Sequence, residues 1–215
     1  MRPAFLTAFC ILSACSAVPL EQGSASFASA SMAQAKEANL DVQGVWSRVS
    51  QVAADMCRDQ RAASADCLFS LEIDETSDMG VNARSWVGED GVQMVGVSRK
   101  LLDLLRSEDE LAFVMGHEMG HSVANHHSVF GQRNLTGGFS VSKQGSQRIE
   151  LEADAIGTLI SSKAGFNPLS GVSLLNRLTA RTERRVNSHP ERDQRISVIK
   201  RTFSAIQSGA EITLN

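Results

Sequence analysis

The chain has 215 residues, of which 42% are hydrophobic, 21% charged and 5% aromatic, and its formal net charge is −3. A disordered chain would be less apolar or more strongly charged, and a dedicated nucleic-acid binder would be basic, so both classes are excluded. No run of about 18 apolar residues occurs, so no transmembrane helix is expected, and the length suits one domain with a substantial core. Tyrosine is absent, which removes it from any catalytic role.

In chain order, residues 1–14 come first: Met-Arg-Pro and an apolar run from Ala4 to Leu12. One positive charge before about nine apolar residues is the pattern of a signal peptide. The run ends Leu12-Ser13-Ala14-Cys15, which resembles a bacterial lipobox. Cleavage before Cys15 would leave it as a lipidated first residue, and Ser16 after it implies sorting to the outer membrane. A plain secretory signal cut elsewhere is the alternative. The expected location is therefore the periplasm, with membrane contact through the lipid alone. Residues 15–38 read as the lipidated cysteine and a Ser-, Ala- and Gln-rich tether, and residues 39–215 as the domain. With Cys10 removed and Cys15 acylated, Cys57 and Cys67 remain as an even pair in an oxidising compartment, which points to a disulfide. Two buried free thiols are the alternative.

Within the domain, Val42, Val45, Trp46, Val49, Val52, Ala53 and Met56 recur at helical spacing and predict a first helix. Three short strands follow, Leu68 to Ile73, Val81 to Val87 and Val92 to Val97, the last two joined by the turn Gly88-Glu89-Asp90-Gly91. After Arg99 the chain reads helical except for a polar loop from His126 to Ser146 holding four glycines. That loop lies between two candidate ligand helices and is expected to cover the site. A small sheet followed by several helices gives an α+β class.

His117-Glu118-Met119-Gly120-His121 is an HExxH motif on a run with helical character. Ser107 and Glu110 make a capping box at its start. Residues four apart stack on one helix face, so His117 and His121 can present their imidazoles to a single ion. Glu118 lies beside that face and can take a proton from an attacking water. Chance matches number about 0.007 for a chain of this composition. Zinc needs a third protein ligand, and Glu150 is the candidate. Asp154 shares its helix face and can bond the far nitrogen of a ligand histidine, fixing its tautomer. Glu152, two residues from Glu150, should point elsewhere. His126 and His127 read as surface residues at a helix end, where histidine suits the dipole.

These residues resemble the gluzincin metallopeptidases that include HtpX, the Oma-type mitochondrial proteases, the CAAX prenyl endopeptidases and the periplasmic BepA- and LoiP-like proteases. The matching elements are His117-Glu118-x-x-His121, Glu150-x-x-Ala153-Asp154, and His189-Pro190 with Arg195; Asn82-Ala83 resembles the family's edge-strand signature. The resemblance spans about Asp41 to Ile199. It implies a zincin-like fold, mostly helical, with an edge strand of the sheet bordering the active site. It implies one zinc ion per chain on His117, His121 and Glu150, with Glu118 as general base and acid. It places His189 and Arg195 near the metal as oxyanion stabilisers, or His189 at the metal's open position in a resting form. Apart from the family, His189-Pro190 reads as a helix start with Pro190 at the first position, and Arg195 as a surface arginine.

The expected activity is endopeptidase cleavage of unfolded or misassembled proteins at the bacterial cell envelope, with an extended substrate adding to the edge strand at Asn82-Ala83. The partner is a protein or peptide substrate and not a nucleic acid. A latent or chaperone-like zinc lipoprotein is the alternative, and a cell-wall amidase a third reading with nothing outside the motif to support it. Unlike in several relatives, no hydrophobic insert is read between His121 and Glu150, and no helical-repeat domain is expected after the last motif.

Overall fold

Helix α1, Val42–Gln60, follows from apolar residues recurring every three or four positions: Val45, Val49, Ala53 and Met56 form its buried face. The Asp41 carboxylate accepts from the Gly44 amide at 2.8 Å and caps its start. The structure is a computed structural model, and it describes residues 40–60, 67–76, 78–128, 143–179, 190–210 and 212. The expected signal segment and tether, Cys15 and His189 lie outside the described residues. The described residues fall in one unit, Glu37–Asn215.

Strands β1 (Phe69–Asp74), β2 (Ala83–Val87) and β3 (Gln93–Ser98) form a mixed sheet in the order β1-β3-β2. β1 runs parallel to β3, and β2 antiparallel to it, with Ser85 opposite Val95. β3 is the central strand, and its Val95 and Val97 are fully buried. The Gly88–Gly91 turn returns the chain from β2 to β3, with Gly91 at φ +84°, a conformation that favours glycine. This topology leaves β2 at an edge. Alternation sets its two faces. Arg84 and Trp86 stack on one side, while Ala83 and Ser85 face the other.

A short helix, α2 (Arg99–Leu102), leads to α3 (Glu108–Val123). Helices α4 (Lys143–Lys163), α5 (Ser170–Thr179) and α6 (Arg192–Ser208) complete the fold. The class is thus α+β and mostly helical with a small three-stranded sheet, as expected. The main core joins α1, β3, α3 and α4 through residues such as Val49, Val95, Met115, Met119, Ile156 and Ile160. A smaller cluster of Phe113, Leu175 and Ile199 fastens α5 and α6 to the other side of α3.

Three expectations need correction. Ser107 caps α3 by accepting from the Glu110 amide, but the Glu110 side chain reaches back to the Arg106 amide rather than to Ser107. The same carboxylate makes a paired ion bridge with Arg177 of α5, so tertiary structure takes over half of the capping box. The polar loop is shorter than expected at both ends: residues 126–128 are helical and α4 already begins at Lys143. Its remainder, 129–142, lies outside the described residues. Pro190 precedes the cap of α6 rather than opening the helix; Glu191 is the cap, in a capping box with Gln194.

Cys57 of α1 and Cys67 before β1 form a disulfide across ten positions. Closing a loop of this size restricts the unfolded chain by about 3 kcal/mol. The Cys57→Ser, Cys67→Ser double variant is therefore expected to lose about 2–3 kcal/mol in a denaturant melt. An unchanged midpoint would contradict this.

Candidate metal centre

Helices α3 and α4 approach closely because small residues line their contact. An added Cβ at Gly116 would lie 2.9 Å from the Gly157 carbonyl oxygen, and one at Gly120 would lie 2.9 Å from that of Ala153. One at Gly157 would meet the His117 backbone nitrogen at 2.7 Å. The Ser161 hydroxyl bridges the same seam, 3.1 Å from the Ala112 carbonyl oxygen and 2.7 Å from that of Gly157. This contact brings the HExxH helix against the helix that carries Glu150.

His117, His121 and Glu150 converge there, with one ligand atom from each lying within 4.8 Å of the others. His117 Nε2 is 3.5 Å from Glu150 Oε2, and His121 Nε2 is 3.8 Å from Oε1. Donors about 2 Å from a tetrahedral zinc ion lie roughly 3.3 Å apart. Two imidazole nitrogens and a carboxylate at these separations fit zinc in number, type and spacing.

Asp154 sits behind His117. Its Oδ1 is 3.0 Å from His117 Nδ1, which turns Nε2 toward Glu150. The carboxylate is fully buried. Burial alone would raise its pKa, but Arg195 and His117 hold it below the usual carboxylate range. Arg195, in the first turn of α6, donates from Nε at 2.8 Å and from Nη2 at 2.6 Å to Asp154. Its Nη2 also lies 3.4 Å from His117 Nδ1. Arg195 is therefore neither a surface arginine nor aimed at the front of the site. Its guanidinium is engaged on the Nδ1 side of His117, opposite the convergent donors, because Asp154 needs a partner there. Through Asp154 it is a positioning residue for His117.

Glu118 lies beside the donor set, and the side chain of Ser85 on β2 favours its charged form. Burial raises its pKa, with His117 opposing. Asn82 adjoins the start of β2, its amide bonded to the Ser98 hydroxyl at 3.0 Å and its carbonyl to the Ser98 amide at 3.0 Å. Asn82 and Ala83 thus continue the edge that runs past Glu118.

The histidines differ. Burial opposes charge on His117, but bonds to Asp154 and Glu150 overcome it and raise its pKa to about 10. Burial and the neighbouring His117 push His121 down to about 3. In the ion-free protein His117 therefore holds a proton at neutral pH, which a divalent cation must displace. Zinc affinity is expected to rise with pH up to about 10, with about one proton released per ion at pH 7. Calorimetry in two buffers of different ionisation enthalpy reads that proton, and identical heats would refute it.

His126 is a further correction. It is not a surface residue but only 4% exposed, its Nδ1 2.9 Å from His121 Nδ1. Glu152 points away from the ligand set, as expected, and lies 3.3 Å from His126 Nε2 through Oε2. The reason is Asn125, whose left-handed backbone (φ +57°) ends α3 and folds His126 back on His121.

Residues 46–136 match the sequence model of peptidase family M48. The match contains His117, Glu118, His121, Ser85 and His126; Glu150, Asp154 and Arg195 lie beyond it and join the site through the packing of α4 and α6. No curated protein matches the chain.

Proposed function

We propose that the chain, whose residues 46–136 match the model of peptidase family M48, is a zinc-dependent endopeptidase of the bacterial cell envelope acting on unfolded or misassembled proteins. The observation that carries this reading is the convergence of His117, His121 and Glu150 beside Glu118, next to an edge strand. Zinc bound to this set would supply Lewis acidity toward a peptide carbonyl and make water a stronger acid. Glu118 accepts the proton of the water that attacks the carbonyl carbon. It then delivers that proton to the amine nitrogen as the C–N bond breaks, leaving a carboxylic acid and an amine. Its raised pKa suits both tasks.

The strand explains the substrate class. Backbone bonding along β2 would hold an extended chain with little regard to side chains, which favours unfolded segments over folded ones. Asn82, Ala83 and Ser85 lie on that strand or at its start, so a bound chain would run past Glu118. His189 is assigned as the oxyanion donor. The envelope location rests on residues 1–15, with Cys15 as the lipidation site. No helix among the described residues is long and apolar enough to cross a membrane.

The test is cleavage of casein by purified protein. Chelator treatment is expected to abolish cleavage, and one equivalent of zinc per chain to restore it. Cleavage that survives complete zinc removal would overturn the reading.

A further inference from the structure

Helix α3 ends in a second arrangement that mirrors the one behind His117. His117 is held from behind by a carboxylate, Asp154, directly. His121 is held through an intermediary: its Nδ1 faces His126 Nδ1 at 2.9 Å, and His126 Nε2 faces Glu152 Oε2 at 3.3 Å. The protonation pattern follows from the partners. An ionised carboxylate only accepts, so His126 must carry its proton on Nε2 to donate to Glu152. Neutral His126 then has a bare Nδ1, which can only accept. His121 must therefore carry its proton on Nδ1 to donate to it, which leaves the His121 Nε2 lone pair free on the side facing Glu150.

We infer that His126 and Glu152 form a positioning relay that fixes the tautomer and ring orientation of His121 as a metal ligand. The inference rests on the metal-centre reading above. His126 is buried with its ring edge-on to His121, centroids 5.1 Å apart. Such partners behind a ligand histidine change metal affinity by about 10- to 100-fold when removed. Two features make the relay a device of this turn. Asn125 aims His126 backward. Glu152 stands two residues after Glu150 on α4, so one helix supplies both the ligand carboxylate in front of His121 and the carboxylate behind it.

The test measures zinc affinity by competition with a chromophoric chelator. The proteins compared are wild type, His126→Phe, His126→Gln, Glu152→Ala and the double variant His126→Phe with Glu152→Ala. His126→Phe keeps the ring volume, and Gln can both accept from His121 and donate to Glu152. The expected result is a weakening of about 10- to 100-fold in His126→Phe and Glu152→Ala. Recovery of most of that loss is expected in His126→Gln, and no further loss in the double variant. Nitrogen-15 NMR of the ion-free protein is expected to place the His121 proton on Nδ1 and to lose that preference in Glu152→Ala. Glu152 is partly exposed, so its variant tests the relay even if His126→Phe fails to fold. Wild-type affinity in Glu152→Ala, or losses that add in the double variant, would overturn the relay alone. Absence of zinc binding by the wild type would overturn the metal-centre reading and the relay with it.

Discussion

Glu118→Gln is expected to retain zinc at the wild-type level and to cut casein cleavage by about 10²- to 10⁴-fold, the range for loss of a positioned general base. The donor set does not include Glu118, so the metal stays. Glutamine matches glutamate in shape, so the neighbouring edge strand should not move. What is lost is the ability to take and return a proton. Zinc content by atomic absorption and cleavage rates in the same preparations separate the outcomes. Equal zinc with cleavage by the wild type alone assigns the base. Equal cleavage by both proteins would remove Glu118 from the mechanism. Equal zinc with cleavage by neither would favour a latent or chaperone-like protein, and His189→Ala would then be examined for release of activity.

What could be read from the sequence divides along physical lines. The ligand pair His117 and His121 is a local property of one helix, because four residues make about one turn. Glu150 and Asp154 are likewise four apart on one helix, so their shared face was legible although their approach to α3 was not. The three strands and the turn between β2 and β3 follow from alternation and two glycines. His126 was not legible for one reason: five positions along a continuous helix put it on a different face from His121. Asn125 breaks that helix, and a single left-handed residue leaves only a weak mark in a sequence. Arg195 was misjudged in the same way. Its neighbours give no sign of the buried carboxylate that it meets across 41 positions. The small residues of the seam were visible as Gly116-x-x-x-Gly120 and Ala153-x-x-x-Gly157-x-x-x-Ser161, spacings that line up on one face of each helix. That signal went unread.

The same seam carries the second large prediction. In an exposed helix Gly→Ala stabilises by about 0.5–1 kcal/mol. At Gly157 the sign reverses. The new methyl would meet the His117 nitrogen at 2.7 Å, its Cα at 2.8 Å and the Gly116 carbonyl carbon at 3.0 Å. All three are backbone atoms of α3 and cannot turn aside as a side chain can, so α4 must move away. Overpacking of this kind costs about 1–3 kcal/mol, enough to outweigh the helix preference. The functional cost is larger than the stability cost. Glu150 is seven residues before Gly157, two turns along the same face, and Asp154 only three before it, so both carboxylates shift away from His117 with the helix. Metal ligation tolerates only about 0.2 Å, and a displacement of about 1 Å at a reacting centre is enough for a 100-fold loss of rate. Gly157→Ala is expected to stay folded with a lower melting temperature, to bind zinc at least tenfold more weakly, and to lose casein cleavage by about 100-fold or more. Gly120→Ala, whose methyl would lie 2.9 Å from the Ala153 carbonyl oxygen one turn nearer Glu150, should act in the same direction. A folded Gly157→Ala protein with wild-type zinc affinity and wild-type cleavage would show that the close contact of α3 and α4 does not set the metal geometry.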